Sequence, residues 1–260
     1  MGPIAEHEQT LYGQPLFWRS AEGADPPVLY LHGVPTSSDD WLPFLERTGG
    51  LAPDLPGFGR TGKRGDGEYT LAGYDRFVES FLDHVEVERV RLVVHDWGAA
   101  GLLWAQRNPE RVERLVLIDA VPLLPGYRWH RLARLWRMRA VGELTIGLST
   151  RWAARRVLPP AVADHAWAHF DQGTQRAILR LYRSTPEDAL ARAGLDLGRI
   201  DCPALVVWGD RDPYIEPAFA DAYAAALGGE TEVLHLHDAG HWPWHERPDA
   251  IDRIATFLRA

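Results

Sequence analysis

Arg91-Leu92-Val93-Val94-His95-Asp96-Trp97-Gly98-Ala99-Ala100-Gly101-Leu102 reads as a short strand, a sharp turn and the start of a helix. The strand part is a brief apolar run, the pattern of a strand covered on both faces. Val94 before the turn, and Gly98 and Ala99 after it, are small enough to let the chain fold tightly around Asp96. A carboxylate at such a tip is already ionised at neutral pH and attacks carbon without a base to activate it. The product is an ester between Asp96 and an alkyl carbon. The residue type therefore points to an alkyl electrophile and away from ester hydrolysis.

The rest of the chain sets the frame for that turn. Its 260 residues and 29.2 kDa suit one large α/β domain with an insertion as well as two small domains. A hydrophobic share of 46% supplies a core, and a net charge of −8 argues against a nucleic-acid partner. No apolar run approaches the roughly 18 residues of a membrane span. The acidic start, Met1 to Glu8, lacks the basic and apolar regions of a signal peptide, so a cytoplasmic monomer or homodimer is expected. Cys202 is the only cysteine and is expected to pack rather than to pair. Lys63 is the only lysine and Asn108 the only asparagine. A GC-rich genome explains that bias, and heat adaptation is compatible with it.

Around Asp96, strands and helices alternate. Gln9 to Arg19 reads as a hairpin turning at Gly13-Gln14. Pro27 to Leu31, Leu51 to Leu55, Arg89 to Val94, Val112 to Ile118, Ala204 to Trp208 and Val233 to Leu236 read as strands. Helical spacing marks Asp39 to Arg47, Thr70 to Val87, Gly98 to Arg107 and Pro248 to Leu258. The alternation implies a mostly parallel sheet flanked by helices, with ligands beyond the carboxyl ends of the strands. The loops at Gly33, Asp96, Asp212 and His241 all follow strands, so they converge on one cleft. Residues 121–200 break the alternation with helical spacing and many tryptophans, and they are expected to form a helical cap on a core of 1–120 and 201–260. The cap's first part carries Arg128, Arg131, Arg134, Arg137, Arg139, Arg151, Arg155 and Arg156 against Glu143 alone. A solvated helix face is the simplest explanation; a membrane-surface or anion-binding role is the other.

Four motifs sit on these loops. His32-Gly33-Val34-Pro35 lies before the elbow. Asp54-Leu55-Pro56-Gly57-Phe58-Gly59 follows the next strand. Gly209-Asp210-Arg211-Asp212 and Gly240-His241-Trp242 close the set. Together with His95-Asp96-Trp97-Gly98 they resemble the Asp-nucleophile branch of the α/β-hydrolase fold, the group of epoxide hydrolases and haloalkane dehalogenases. The resemblance is firm in the core and looser in the cap. It implies Asp96 as nucleophile, His241 as base and Asp212 as the acid that orients it, in that family's chain order. Asp119, where some dehalogenases carry the acid, is the rival to Asp212, and His245 the decoy for His241. Val34 and Trp97 would supply the backbone N–H groups of an oxyanion hole. His32, Asp54 and Asp210 would brace loops. Trp97, Phe58, Pro35 and Trp129 would line an apolar substrate pocket. No cofactor is implied, and no cluster has the spacing of metal ligands.

The branch is read from the leaving group. A departing halide needs N–H donors. The Trp97 indole offers one, but Val34 stands where many dehalogenases carry Asn, leaving Trp129, Trp136 or Trp152 as replacements. An epoxide needs an acid. Tyr182-Arg183 resembles the cap tyrosine of epoxide hydrolases, with Tyr127 as an early candidate for the second. The expectation is an epoxide hydrolase acting on a small hydrophobic epoxide and water. Haloalkane dehalogenation by the same triad is the alternative, and a receptor-like ligand-binding protein the minor one.

Overall fold

The computed structural model describes residues 2–260. Strands β1 (Ala5–Leu11), β2 (Gln14–Ala21), β3 (Val28–Leu31), β4 (Gly50–Pro53), β5 (Val90–His95), β6 (Val112–Ile118), β7 (Ala204–Gly209) and β8 (Thr231–Leu236) form one sheet in the order β1-β2-β4-β3-β5-β6-β7-β8. β2 pairs antiparallel with β1 and β4, and every other pairing is parallel. This is the α/β-hydrolase layout. The central strands send alternate residues to opposite cores. Leu92 and Val94 join Leu29, Leu115 and Val206 on one face, while Val93 joins Val28, Tyr30, Val116 and Val207 on the other. Burial on both faces explains why these strands read as unbroken apolar runs.

The core helices are α1 (Leu42–Thr48), α2 (Leu71–His84) and α3 (Gly101–Arg107). α2 shows why they form where they do. Thr70 caps it by accepting from the Gly73 N–H, and Leu71, Tyr74, Phe77, Val78, Phe81 and Leu82 bury one face. Between β6 and β7 come α4 (Arg131–Arg137), α5 (Val141–Gly147), α6 (Arg151–Val157), α7 (Pro160–Ala168), α8 (Gln172–Ser184) and α9 (Glu187–Ala193). The fold closes with α10 (Ala218–Ala226), α11 (Pro243–Glu246) and α12 (Asp249–Arg259). Among the described residues no helix is long and apolar enough to cross a membrane.

The hairpin turn differs by one residue from the sequence expectation. Leu11 pairs with Gln14, so the turn is Tyr12-Gly13, with φ of 49° and 73°. A two-residue loop of this hand needs positive φ at both positions. Gly13 accepts that freely, and the exposed Tyr12 is carried with it.

Candidate active site

Asp96 directly follows β5 with φ at 48°, a left-handed backbone that an aspartate rarely adopts. The strained turn lifts its carboxylate off the strand end, against Gly33. A Cβ on Gly33 would stand 2.5 Å from the Asp96 Cβ and 2.6 Å from Oδ1, so only glycine lets the β3 loop pass this closely. That loop, which contains a cis Val34–Pro35 peptide, turns the Val34 N–H onto Asp96 Oδ1 at 2.8 Å. The other oxygen, Oδ2, lies 3.4 Å from His241 Nε2. His241 Nδ1 meets Asp212 Oδ2 at 2.6 Å, and Asp212 Oδ1 accepts the N–H groups of Tyr214 (2.7 Å) and Ile215 (3.1 Å). The β5, β7 and β8 loops thus bring Asp96, Asp212 and His241 into one line.

The electrostatics follow from that line. Burial pushes against charge on both Asp96 and His241, but their mutual attraction outweighs it. Asp96 is held below the usual carboxylate range by the His241 hydrogen bond and charge. His241 is held well above the ordinary imidazole value by Asp212 and Asp96. Both shifts favour a carboxylate beside an imidazolium. His95, sealed behind them, is pushed down to about 3 by burial and by the neighbouring His241 charge, and its Nε2 holds the His241 carbonyl at 2.8 Å.

Asp119 lies directly behind the triad. It directly follows β6 with φ at 40°, is fully buried, and has atoms within 4.8 Å of both Asp212 and His241. Its Oδ1 accepts the Gly209 N–H at 3.0 Å, while Oδ2 has no donor. Burial first, and the Asp212 charge second, raise its pKa well above the carboxylate range, which favours its neutral form. His241 Nδ1 bonds Asp212 and not Asp119.

A cavity of about 250 Å³ opens over Asp96 and His241. Pro35, Tyr127, Trp129, Trp136, Tyr182 and Tyr214 are among its lining residues. Burial raises the pKa of both Tyr127 and Tyr182, and the Asp96 charge adds to it. Two expected pocket residues lie elsewhere. Phe58 is fully buried with its ring edge-on to His32, because its loop folds inward beneath the β3 turn. Trp97 stacks on Trp129 at 5.3 Å and meets Tyr182 edge-on at 5.0 Å, so both cover it from the cavity. Its indole N–H has no partner in hydrogen-bond geometry, but it faces the Tyr182 phenol and opposes that group's rise.

Of the three cap tryptophans weighed as halide donors, Trp129 spends its N–H on the Thr185 carbonyl at 3.0 Å, and Trp152 is largely exposed. Trp136 lines the cavity. Sequence reasoning missed Tyr214, whose ring lies 5.0 Å from the His241 ring; its place two residues after Asp212 was the available signal.

The bracing residues are tied to loops. His32 accepts the Leu55 N–H at 2.8 Å and contacts the Gly33 carbonyl, while Asp54 receives the Ser38 and Arg60 N–H groups. Asp210 pairs with His235 and His237 at the surface, and His245 is exposed on α11.

With this geometry in view, comparison with known proteins is informative. A model of the Alpha/beta hydrolase family matches residues 28–254. A haloalkane dehalogenase of Agrobacterium fabrum is 39% identical, over 89% of this chain and 84% of that protein. One of Mesorhizobium japonicum is 31% identical, over 92% and 86%. Among solved structures, haloalkane dehalogenase DbeA of Bradyrhizobium elkani superposes with a TM-score of 0.85 at 27% identity, covering 99% of this chain and 98% of that one. These relatives favour the dehalogenase alternative over the epoxide hydrolase expected from the cap tyrosine. The chain belongs to the alpha/beta hydrolase family.

Proposed function

We propose that this hydrolase breaks carbon–halogen bonds, converting a small apolar haloalkane and water into alcohol, halide and a proton. The observation that carries the reading is the Asp96 carboxylate. It is ionised and buried at the floor of an apolar cavity, with one oxygen held by Val34 and the other beside His241. The names of the relatives above support the leaving group.

Asp96 Oδ2 attacks the carbon, and the halide departs with the bonding electrons. The resulting ester carries no charge, so His241 loses one of the two carboxylates that hold its proton. Its pKa falls, the imidazolium gives its proton to solvent, and the neutral ring then takes a proton from water. Hydroxide adds to Asp96 Cγ, and the negative charge gathers on Oδ1, where the Val34 N–H already sits, with the Trp97 backbone N–H as the second donor of the oxyanion hole. Collapse breaks the Cγ–Oδ2 bond; the departing alkyl oxygen takes the remaining proton of the added hydroxyl and leaves as the alcohol, which restores the carboxylate beside a protonated His241. Asp212 orients the imidazole throughout. The Tyr182 hydroxyl takes the place of the missing Asn side chain in receiving the halide. Residues 121–200 act as the cap that keeps bulk water from the ester.

A second reading has a specific observation behind it. Tyr127 and Tyr182 both line the cavity and both feel the Asp96 charge, the arrangement epoxide opening needs for its proton donors. Assaying haloalkanes for halide and epoxides for diol separates the two. Halide release with no diol from any epoxide supports the proposal; the reverse establishes the epoxide reading. Turnover of neither, with ligand still bound, would leave a binding protein.

A further inference from the structure

The surface of residues 128–157 combines two features. Eight large apolar side chains are exposed among the described residues, and six of them fall between 135 and 157: Leu135, Met138, Leu144, Leu148, Trp152 and Val157. Leu148 and Trp152 are about two-thirds exposed, at 70% and 67%. A folded domain rarely leaves so many in consecutive helices without a use for them.

The second feature is charge. Arg128, Arg131, Arg134 and Arg139 are exposed and, among the described residues, have no ion pair. On α4, Arg131, Arg134 and Leu135 stand three and four apart on one side of the helix, and the exposed Met138 and Arg139 follow directly after its end. Further on, Arg156 folds over the Trp152 ring at 4.2 Å. Glu143, the one acid from 128 to 157, is taken by Arg183. The segment is thus strongly basic in a chain of net charge −8.

We propose that α4, α5 and α6 form a docking face for an anionic phospholipid surface. Its apolar side chains enter the headgroup layer and its free arginines pair with phosphate. Leu, Met and Trp interleaved with unpaired Arg is the composition of a segment that lies in a membrane interface. An acidic protein would explain the arginines but gives no reason for the isolated, protruding apolar side chains. The same helices reach the cavity. Ala153, Ala154 and Val157 line it, and Val157 is also 53% exposed, so the cavity meets the surface at the docking face. A substrate dissolved in lipid would have a short path inward; that corollary alone rests on the proposed haloalkane reading.

The test is co-sedimentation of the intact protein with vesicles of phosphatidylglycerol and phosphatidylcholine, against phosphatidylcholine alone, at low and high salt. The expected result is binding to the anionic vesicles that weakens with salt. An Arg131→Glu/Arg134→Glu/Arg139→Glu variant should bind at least about tenfold more weakly, given roughly a kcal/mol for each basic residue near an anionic surface. A Leu144→Ser/Leu148→Ser/Trp152→Ser variant should lose binding as well. Both changes are confined to exposed positions outside the cavity, so circular dichroism and turnover of a water-soluble substrate should match the wild type. Absence of binding at low salt, or equal binding by the charge-reversed protein, overturns the proposal. So does a dimer that the serine variant converts to monomer, because a second copy would then cover the face.

Discussion

Asp119 is the residue whose role changes most once its surroundings are known. A carboxylate there would be a second orienting acid. Burial and the Asp212 charge favour its neutral form instead, with its Oδ1 on the Gly209 N–H and its Oδ2 without a donor. Asp119→Asn should therefore retain turnover within about threefold, since an amide replaces a neutral carboxyl of the same shape. Asp119→Ala should lose more, by opening a void behind Asp212. A collapse of activity in Asp119→Asn with the fold intact would show a charged acid. Tyr182→Phe is the companion change. Loss of one hydrogen bond to a developing halide should slow its release by about ten- to a hundredfold, because a halide leaves without a proton. If haloalkane turnover is unchanged in Tyr182→Phe, the phenol only packs. Asp96, Asp212 and His241 were legible because each ends or follows a buried strand in a recognisable turn. Asp119 was weighed as the rival acid, but the upward push on its pKa depends on burial and on Asp212 in the neighbouring loop, which no local pattern reveals.

At the level of elements, the site depends on loops that pass very close to one another. Gly33 is the tightest point, and Gly33→Ala should cut activity by at least about a hundredfold by pushing the Val34 N–H off Asp96 Oδ1. Purified protein with a near-native melting curve but little halide release is the expected result; wild-type turnover would mean the loop can shift without cost. The strands and the long helices were readable from periodicity, because two-sided burial and one-sided burial leave different patterns. The Tyr12-Gly13 turn was misplaced by one residue because both Gly13 registers look alike until strand pairing is known. Phe58 and Trp97 were misassigned for a related reason. A large ring beside a catalytic loop can face the ligand or the core, and only the packing of His32, Trp129 and Tyr182 decides it.

For the whole molecule, the proposed mechanism divides the reaction at the Asp96–His241 pair into halves with different pH dependence. The first half needs only an ionised Asp96, whose pKa lies below the usual range, so alkylation should stay at its plateau well into mild acid. The second needs His241 unprotonated. Asp212 still favours its proton after Asp96 is esterified, so turnover should fall at a higher pH than alkylation does. Rapid-quench measurements should then show a halide burst persisting where steady-state turnover has declined; loss of both together would contradict a separate base step. The most direct test of the account removes that base. His241→Gln mixed with a haloalkane should release one equivalent of halide and then stop. Intact mass spectrometry should show a single alkyl adduct, mapped by digestion to the peptide carrying Asp96. Sustained halide release, or an unmodified protein after one equivalent has been released, would contradict the covalent mechanism.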